Sequence, residues 1–517
     1  MTWQREINEL ERRQEVQKQM GGTEGIARQR SRGKLTVRER IDLLLDPNSF
    51  QEIGSIAGTP EYDETGKLKS FEPDVNVMGF GKINGRLVCI NGQDFTIHGG
   101  ANPSAMPGKK GFMEMLALDW RIPLIRLLDS GGTRVGTLDP RGRTFIPTGP
   151  KGASTSSLLS QVPVVSAVMG TCAGWVAVAA VQTHWNIMTR NTGELFVAGP
   201  TLVERALNTS ITKQELGGYE VHTHSGVIDN VGEDEADACQ QIRRFLGYLP
   251  QNVWQQPPRS ETGDDPNRRD EELLSIIPRE PEKTFDIRRL INHVIDKDSA
   301  FELSPFYGKS LVTLLARMDG YPVALMSNDS RHIGGAQDAA ACEKMTRFID
   351  FADTFHLPII YLVDMPGFMI GPDSERQGTI RKAARILYAK DQSTTPWLSI
   401  IIRRCYGVAG LMHSHIEHQH LRFAWPSGQW GSLPVAGGAQ AAYRKEIESA
   451  PDPEAKRLEI EKILSQVNSP FRTAEVFEIE EIIDPRDTRP LLCQLVRMSQ
   501  DITATQLGPK SRIGIRP

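Results

Sequence analysis

The sequence predicts a layered α/β protein made of two copies of one fold, and three observations carry that reading. Short runs that are apolar along their length, such as IIYLV (Ile359–Val363), alternate with helix-compatible stretches, as strands covered on both faces do. Ordered blocks of sequence recur once, at a nearly constant offset. A segment rich in Pro, Asp, Glu and Arg, Gln255–Glu282, separates the two sets of blocks as an exposed linker should.

The repeat is specific. GRLVCINGQDFTIHGGA from Gly85 and GYPVALMSNDSRHIGGA from Gly320 lie 235 residues apart, which places Val88, Asp94, Gly99, Gly100 and Ala101 on Val323, Asp329, Gly334, Gly335 and Ala336. The same offset sets RIPLIRLLDSGG on HLPIIYLVDMPG, with Pro123 on Pro358 and Asp129 on Asp364. An offset of 233 sets QVPVVSAVMGTCAGW on TTPWLSIIIRRCYGV, with Pro163 on Pro396 and Gly174 on Gly407. Upstream, an offset of 250 places Ile41 on Ile291 and Asp46 on Asp296. The period is far too long for a solenoid, so the reading is two homologous domains: residues 1–258, a linker at 259–282, and residues 283–517.

Taken in order, the N-terminal segment through Leu45 has a helical pattern. Thr36 and Glu39 form a capping box before Ile41, Leu44 and Leu45. Leu87–Asn91 reads as a strand, and its following loop ends in Gly99-Gly100. Gly111–Trp120 is helix-like, Pro123–Leu128 is a buried strand, and Asp129-Ser-Gly-Gly is its terminal turn. Val162–Val168 is a further buried strand, running into GTCAGWVAVAAV. The second copy repeats these elements.

Composition narrows the function classes. The 517 residues are 39% hydrophobic and 24% charged, with a formal net charge of −4, which gives no electrostatic reason to expect nucleic acid as a partner. No apolar run is long enough to span a bilayer, and the N-terminus MTWQREINELERRQE lacks a signal-peptide core, so no membrane role and a cytoplasmic location are expected. The six cysteines form no C-x-x-C pair, as suits reduced thiols. A phosphate loop of the G-x-x-x-x-G-K-[ST] type, a G-x-S-x-G elbow and an H-E-x-x-H zinc motif are all missing from the sequence.

What remains are two glycine junctions, GTCAGW and RCYGVAG, each between a β-rich run and an Ala-containing, helix-compatible run. Glycine lets a ligand atom approach the main chain, and first-turn amides at a helix start point outward. Two such donors stabilise a developing oxyanion, and losing one costs about 3–4 kcal/mol in a transition state. For a single junction an ordinary tight turn is the better reading. Two at matching places in a duplicated chain favour a ligand role.

GKLTVRERIDLLLDPNSFQEIG (Gly33–Gly54), DSGGTR (Asp129–Arg134), KQELGGYEVHTHSGVID (Lys213–Asp229), VDMPGFMIG (Val363–Gly371) and AWPSG (Ala424–Gly428) resemble the carboxyltransferase (beta) subunit of biotin-dependent acyl-CoA carboxylases, over nearly the whole chain. The resemblance implies a pair of crotonase-like domains and a CO2 transfer from carboxybiotin, carried by a partner subunit, to the α-carbon of an acyl-CoA through an enolate. It implies one oxyanion hole for the acyl thioester at Gly174 and Trp175 and another for biotin at Gly407, Val408 and Ala409. Ser130, Gly131 and Gly132 would border the acyl-CoA cleft. It further implies a hexamer, a trimer of dimers in which the N-terminal domain of one subunit faces the C-terminal domain of another. The partner would be a biotin carboxylase and biotin carboxyl carrier subunit, because the chain has neither an M-K-M biotin-attachment motif nor a recognisable ATP-grasp module. Biotin-dependent decarboxylation, and a non-catalytic CoA-binding scaffold, are the alternatives.

The family usually has Gly-Gly in each hole, where this chain has Trp175 and Val408 as the second member, and those side chains would narrow the pocket. Leu411 stands where propionyl-type relatives often carry Asp, which suggests a different acyl preference. His413, His415, His418 and His420 look like a metal cluster, but their spacing gives only one i,i+3 pair and no i,i+4 pair, so no metal is expected. His413 sits close enough to the second junction to reach a ligand. His222 and His224 read as structural or subunit-contact residues. Asp129 and Asp364 read as turn-fixing side chains rather than a catalytic pair, and Lys109 and Lys110 as exposed loop lysines with CoA phosphates as a second use.

Overall fold

Two capped helices start the two copies. Val37–Leu44 begins at Thr36, whose hydroxyl accepts from the Glu39 amide while Glu39 reaches back to the Thr36 amide, the predicted capping box. At an offset of 250, Ile287–Val294 begins at Asp286, whose carboxylate accepts from the Arg288 and Arg289 amides. Each helix is followed by an aspartate with a duplicated task. Asp46 accepts from the amides of Asn84 (3.0 Å) and Gly85 (2.8 Å), and Asp296 from those of Asp319 (3.1 Å) and Gly320 (2.7 Å). These residues are the tips of two-residue hairpins, with φ of 49° and 78° in one copy and 51° and 79° in the other. Positive φ at both central positions is what a tight hairpin of matching twist requires, hence Asn-Gly and Asp-Gly.

This computed structural model describes residues 2–101, 108–132, 146, 155–280, 282–414 and 421–510. Its contacts separate unit 1, Met1–Gln255 with the tail from Gly508, and unit 2, Gln256–Leu507. The tail joins unit 1 through the Gly508 amide, which donates to the Val253 carbonyl (2.7 Å). The composition of residues 259–282 suggests an exposed linker, yet within unit 2 they pack closely. Leu273 is only 2% exposed in the unit 2 core, and Arg259 donates to Asp319. Leu273, Ile276 and Ile277 of this segment pack on the core, and Asp264 and Arg268 pair with little exposure, which a composition average hides.

In unit 1 the strands are β1 (Gln51–Ile53), β2 (Gly58–Tyr62), β3 (Leu68–Pro73), β4 (Asn76–Ile83), β5 (Arg86–Gln93), β6 (Leu124–Ser130), β7 (Val164–Ala173), β8 (Trp185–Thr189), β9 (Glu194–Phe196) and β10 (Asn230–Gly232). β2 and β3 form a separate ribbon, and the others make one sheet in the order β1-β4-β5-β6-β7-β8-β10, with β9 beside the end of β7. In unit 2 the strands are β11 (Phe301–Leu303), β12 (Leu311–Met318), β13 (Tyr321–Asn328), β14 (Ile359–Met365), β15 (Trp397–Tyr406), β16 (Leu421–Ala424), β17 (Gln429–Gly431) and β18 (Glu481–Ile482). Their order, β11-β12-β13-β14-β15-β16-β18 with β17 beside β15, repeats that of unit 1. In both, the first three strands are antiparallel and the rest parallel.

Register confirms the duplication at single-residue level. Leu124 pairs Val164 in unit 1, and Ile359 pairs Trp397 in unit 2, the positions that offsets of 235 and 233 relate. Each central pair also shifts register at one place, between Leu128 and Ser130 and between Val363 and Met365. The residues at the two irregularities are Asp129 and Asp364. Such a break bends a strand and re-aims the turn beyond it. Among the described residues, no helix is long and apolar enough to cross a membrane.

The two hairpin aspartates differ in surroundings, and that difference predicts their effect. Asp296 is buried against the fully buried Arg489 (2.8 Å), whereas Asp46 meets the partly exposed Arg243 (3.2 Å). Asp296→Ala removes the nearer of two carboxylates from a buried guanidinium, together with the acceptor of two buried amides, and is expected to cost about 3–5 kcal/mol. Asp46→Ala is expected to cost about 1–2 kcal/mol, the worth of charge-assisted bonds at a half-open site. Urea-unfolding midpoints and hydrogen exchange at the two hairpin tips check this ranking.

Candidate active site

Each unit brings three turns to the ends of its central parallel strands. The first is the glycine pair after the hairpin, with φ of 69° and 68° at Gly99 and Gly100 and of 65° and 84° at Gly334 and Gly335. A side chain at Gly100 would lie 2.4 Å from the Asp129 carbonyl oxygen, and one at Gly335 would lie 3.3 Å from that of Asp364. The repeated Gly-Gly-Ala thus lets this turn lie against the end of the next strand.

The second turn follows Asp129 or Asp364. In unit 1 the Ser130 hydroxyl donates to the Gly100 carbonyl (2.6 Å) and accepts from the Gly132 amide (3.2 Å), while the Gly131 amide donates to Gly99 (3.0 Å). Ser130 and Gly131 therefore spend these donors on joining the first two turns. Gly132, at φ 87°, lies against the Ala173 carbonyl at the end of β7. Thr133 and Arg134 lie outside the described residues. In unit 2 the corresponding turn contains Gly367, at φ 139°, whose carbonyl accepts from the Gln337 amide (3.0 Å). Gly367 ends the D-x-x-G string that aligns with Asp129–Gly132.

The third turn is the glycine junction. Gly174 and Gly407 both adopt φ 63°, and they open the short helices Trp175–Val181 and Gly407–Gly410. Among the described residues, no acceptor is bonded to the amide of Gly174 or Trp175, and no atom stands within 4 Å of where a Gly174 side chain would begin. First-turn amides of the second helix, Val408 and Ala409, likewise have no intrahelical partner. The helix of unit 1 packs Ala177 and Ala180 against Leu128, Val168, Cys172 and Met188, so alanines bring its backbone close to the sheet. Trp175 and Val408 turn outward, 50% and 63% exposed, and Leu411 is 52% exposed. Among the described residues, the amides of the two residues that replace the usual second glycine therefore bond no acceptor.

Behind these turns lies a feature that sequence reading mistook. Asp129 and Asp364 read as side chains that fix turns by bonding the backbone; Asp364 does accept from the Arg404 amide (3.3 Å), but both are chiefly fully buried acceptors for cations. Lys34 Nζ donates to both oxygens of Asp129 (2.9 Å each), with Arg40 (3.0 Å) and Gln29 (3.1 Å) beside it. Arg40 then pairs with Glu235 (2.7 and 2.9 Å). In unit 2, Arg403 and Arg404 each place two nitrogens on Asp364, at 2.6 to 3.1 Å. The cations reach the carboxylate by different routes. Arg403 aligns with Gly170, where any side chain would begin 2.0 Å from Asp129 Oδ1. Burial alone would raise the Asp364 pKa, but Arg404 and Arg403 outweigh it and hold the carboxyl below its ordinary 3.8. Burial lowers the Lys34 pKa, and Asp129 opposes that shift.

Other expected residues take modest places. His413 packs behind the second junction with its ring Nδ1 on the Gly410 carbonyl and 3.4 Å from Cys405 Sγ. Burial pushes the Cys405 thiol up to about 12, which disqualifies it as a thiolate nucleophile at neutral pH. His415, His418 and His420 lie outside the described residues. His222 bonds the Leu195 carbonyl and His224 that of Glu220. Lys109 is buried, not exposed, and donates to the Asn76 carbonyl (2.7 Å), so its ammonium is directed into the protein.

The carboxyl transferase domain family matches residues 28–512. The carboxyltransferase subunit of propionyl-CoA carboxylase from Haloferax mediterranei is 35% identical over 99% of both chains. The alpha subunit of methylmalonyl-CoA decarboxylase from Veillonella parvula is 32% identical over 92% of both. Among solved structures, the transcarboxylase 12S hexamer with methylmalonyl-coenzyme A and methylmalonic acid bound superimposes with a TM-score of 0.85, at 30% identity, over 100% of this chain and 97% of that one.

The Asp364 pairing carries a pH signature. Its folded pKa lies below its unfolded one, so the stabilisation is fully present above about pH 4 and is lost as pH falls through the folded value. Asp364→Asn, which strands two guanidiniums, is expected to cost about 3–5 kcal/mol at neutral pH and to flatten the acid limb of the stability profile. Unfolding midpoints measured from neutral to acid pH test both parts.

Proposed function

The chain belongs to the carboxyl transferase family, and we propose that it serves as the carboxyltransferase component of a biotin-dependent acyl-CoA carboxylase. The carrying observation is the pair of matched junctions, each with a glycine at φ 63° opening a short helix. Both substrates of such an enzyme present a carbonyl oxygen that becomes an oxyanion, and main-chain N–H groups suit both.

Carboxybiotin, brought in by a partner subunit that carries biotin carboxylase and carrier functions, supplies CO2 and a basic ureido group. The chain's contribution is electrostatic. In unit 1 the amides of Gly174 and Trp175 receive the thioester oxygen of the acyl-CoA and hold its charge as the enolate forms. In unit 2 the amides of Gly407, Val408 and Ala409 receive the ureido oxygen. The Ser130–Gly132 turn borders the acyl site, and Leu411, exposed beside the second junction, faces the acyl group and sets its preference. A hexamer like that of transcarboxylase 12S would pair unit 1 of one copy with unit 2 of another. The similar decarboxylase subunit runs the same chemistry in reverse, and the partner subunit decides the direction.

Turnover tests the reading: the chain, a biotinylated active partner, ATP, bicarbonate and a panel of acyl-CoAs should yield carboxylated product, and no product from any of them would favour a scaffold. Gly174→Ala and Gly407→Ala meet open space or a single carbonyl at 3.2 Å, so their effect is mainly conformational. Each forces a left-handed φ at a cost of about 1–3 kcal/mol. Each is expected to lower kcat about 100-fold, the loss of an oxyanion donor. Wild-type rates in both would end the oxyanion assignment. Leu411→Asp should reorder the acyl-CoA preference, read as kcat/KM across the panel.

A further inference from the structure

Both junction helices end on a buried cation, and the two cations come from different places in the fold. In unit 1, Arg126 of β6 is buried and its Nη1 donates to the carbonyls of Ala179 (3.3 Å) and Gln182 (3.0 Å), at the end of Trp175–Val181. Its Nε donates to Glu114 (3.2 Å). In unit 2, Lys390 of the helix Thr379–Gln392 is 0% exposed, and its Nζ donates to the Leu411 carbonyl (3.0 Å), at the start of the 3-10 turn Leu411–His413 that continues Gly407–Gly410; the same carbonyl also accepts from the Ser414 amide (3.5 Å).

Shared ancestry does not account for the match. At the offsets that align the strands, Arg126 falls on Tyr361 and Lys390 on Ser157. Tyr361 spends its hydroxyl on Asn328 (2.8 Å). Each unit has thus acquired its own cation for the same end of the same helix. A buried ammonium is costly unless something repays it. Burial lowers the Lys390 pKa, and only the neighbouring Asp391 pulls it back. Helix C-terminal carbonyls lack intrahelical donors and favour a positive charge. The helices have 7 and 4 residues, so at 1.5 Å per residue the cation stands only about 6–11 Å from the first-turn amides. At that range it both fixes the helix and adds positive potential at its other end, an effect that the Glu114 carboxylate on the Arg126 guanidinium reduces in unit 1.

Resting on the reading of the junctions as oxyanion sites, we propose that Arg126 and Lys390 are positioning residues, one per site, which hold each junction helix by its last carbonyls and so set the aim and potential of its first-turn amides.

Two abortive reactions separate the sites in the intact assembly. Loss of CO2 from methylmalonyl-CoA without biotin breaks one C–C bond, places the electron pair on the thioester oxygen, and ends with a proton from water on the α-carbon. Loss of CO2 from the carboxylated biotin carrier without acyl-CoA breaks one N–C bond and leaves the charge on the ureido group until water protonates it. Arg126→Met should slow the first about tenfold and leave the second within about twofold. Lys390→Met should do the reverse, and Lys390→Gln, which keeps a donor without the charge, should fall between wild type and Met. A Met variant that slows both reactions alike, or neither, overturns the proposal, because a general loss of stability would not respect the division. If Lys390→Met does not fold, Lys390→Gln carries the same selectivity test. Gly174→Ala and Gly407→Ala run alongside. If they separate the two reactions and the cation variants do not, the positioning role alone fails. If the glycine variants also leave both rates at wild type, the junction reading fails with it.

Discussion

A carboxylate buried at the end of the central strand is the constraint on which each half of this protein is arranged. Asp129 and Asp364 sit where strand register shifts, one residue before the last pair of each strand and the turn beyond it. An unpaired charge there would be prohibitive, so every neighbouring element is organised to neutralise it. In unit 1 the N-terminal segment does this through Gln29, Lys34 and Arg40, and Arg40 passes the connection on to Glu235. In unit 2 the adjacent strand does it through Arg403 and Arg404, while Arg404 also holds the Gly334 carbonyl and Arg403 that of Lys283. The turns at the strand ends are therefore tied to a charge pair that resists displacement.

The duplication has preserved backbone geometry more strictly than side chains. The ion pair of Arg38 with Glu52 recurs as Arg288 with Glu302, and the hairpin aspartates recur with the same two amide donors. The amide of the buried aspartate meets Gln93 in one unit and Asn328 in the other, at 3.3 Å in both. By contrast, the cations have changed sides. Where Arg403 enters from β15, its counterpart Gly170 leaves room for the carboxylate itself. A site made of main-chain donors tolerates such exchange, since it asks only that the backbone be held, not by which residue.

Much of this was legible in the sequence. The repeat, the capping box at Thr36 and the glycine pairs each report a local backbone demand, and local demands leave local signatures. What was not legible depends on contacts far apart in the chain. Lys34 and Arg40 meet Asp129 across some ninety residues of sequence, so nothing near DSGG announces the charge. Lys109 looks like any loop lysine until its ammonium is found on the Asn76 carbonyl. Residues 259–282 read as linker because composition counts their charges, while Leu273, Ile276 and Ile277 decide that part of the segment packs. Trp175 and Val408 read as a threat to the donors because a sequence shows which side chain is present, not where it points.

The same distinction bears on how two sites of one ancestry could come to hold different ligands. If the donors are backbone amides at a fixed φ of 63°, the outward side chains beside them are free to vary without disturbing the charge-stabilising part. Trp175 and Val178 occupy in unit 1 the positions of Val408 and Leu411 in unit 2, and all four are exposed. They are spaced i,i+3, so each pair forms one edge beside its junction. Selectivity can then be written in these edges, and the electrostatics in the buried charges behind them. Substitutions on the edge should change which molecule enters, and substitutions behind it should change how well any molecule is stabilised. That separation of recognition from charge stabilisation is the physical advantage that two sites built from the main chain would have.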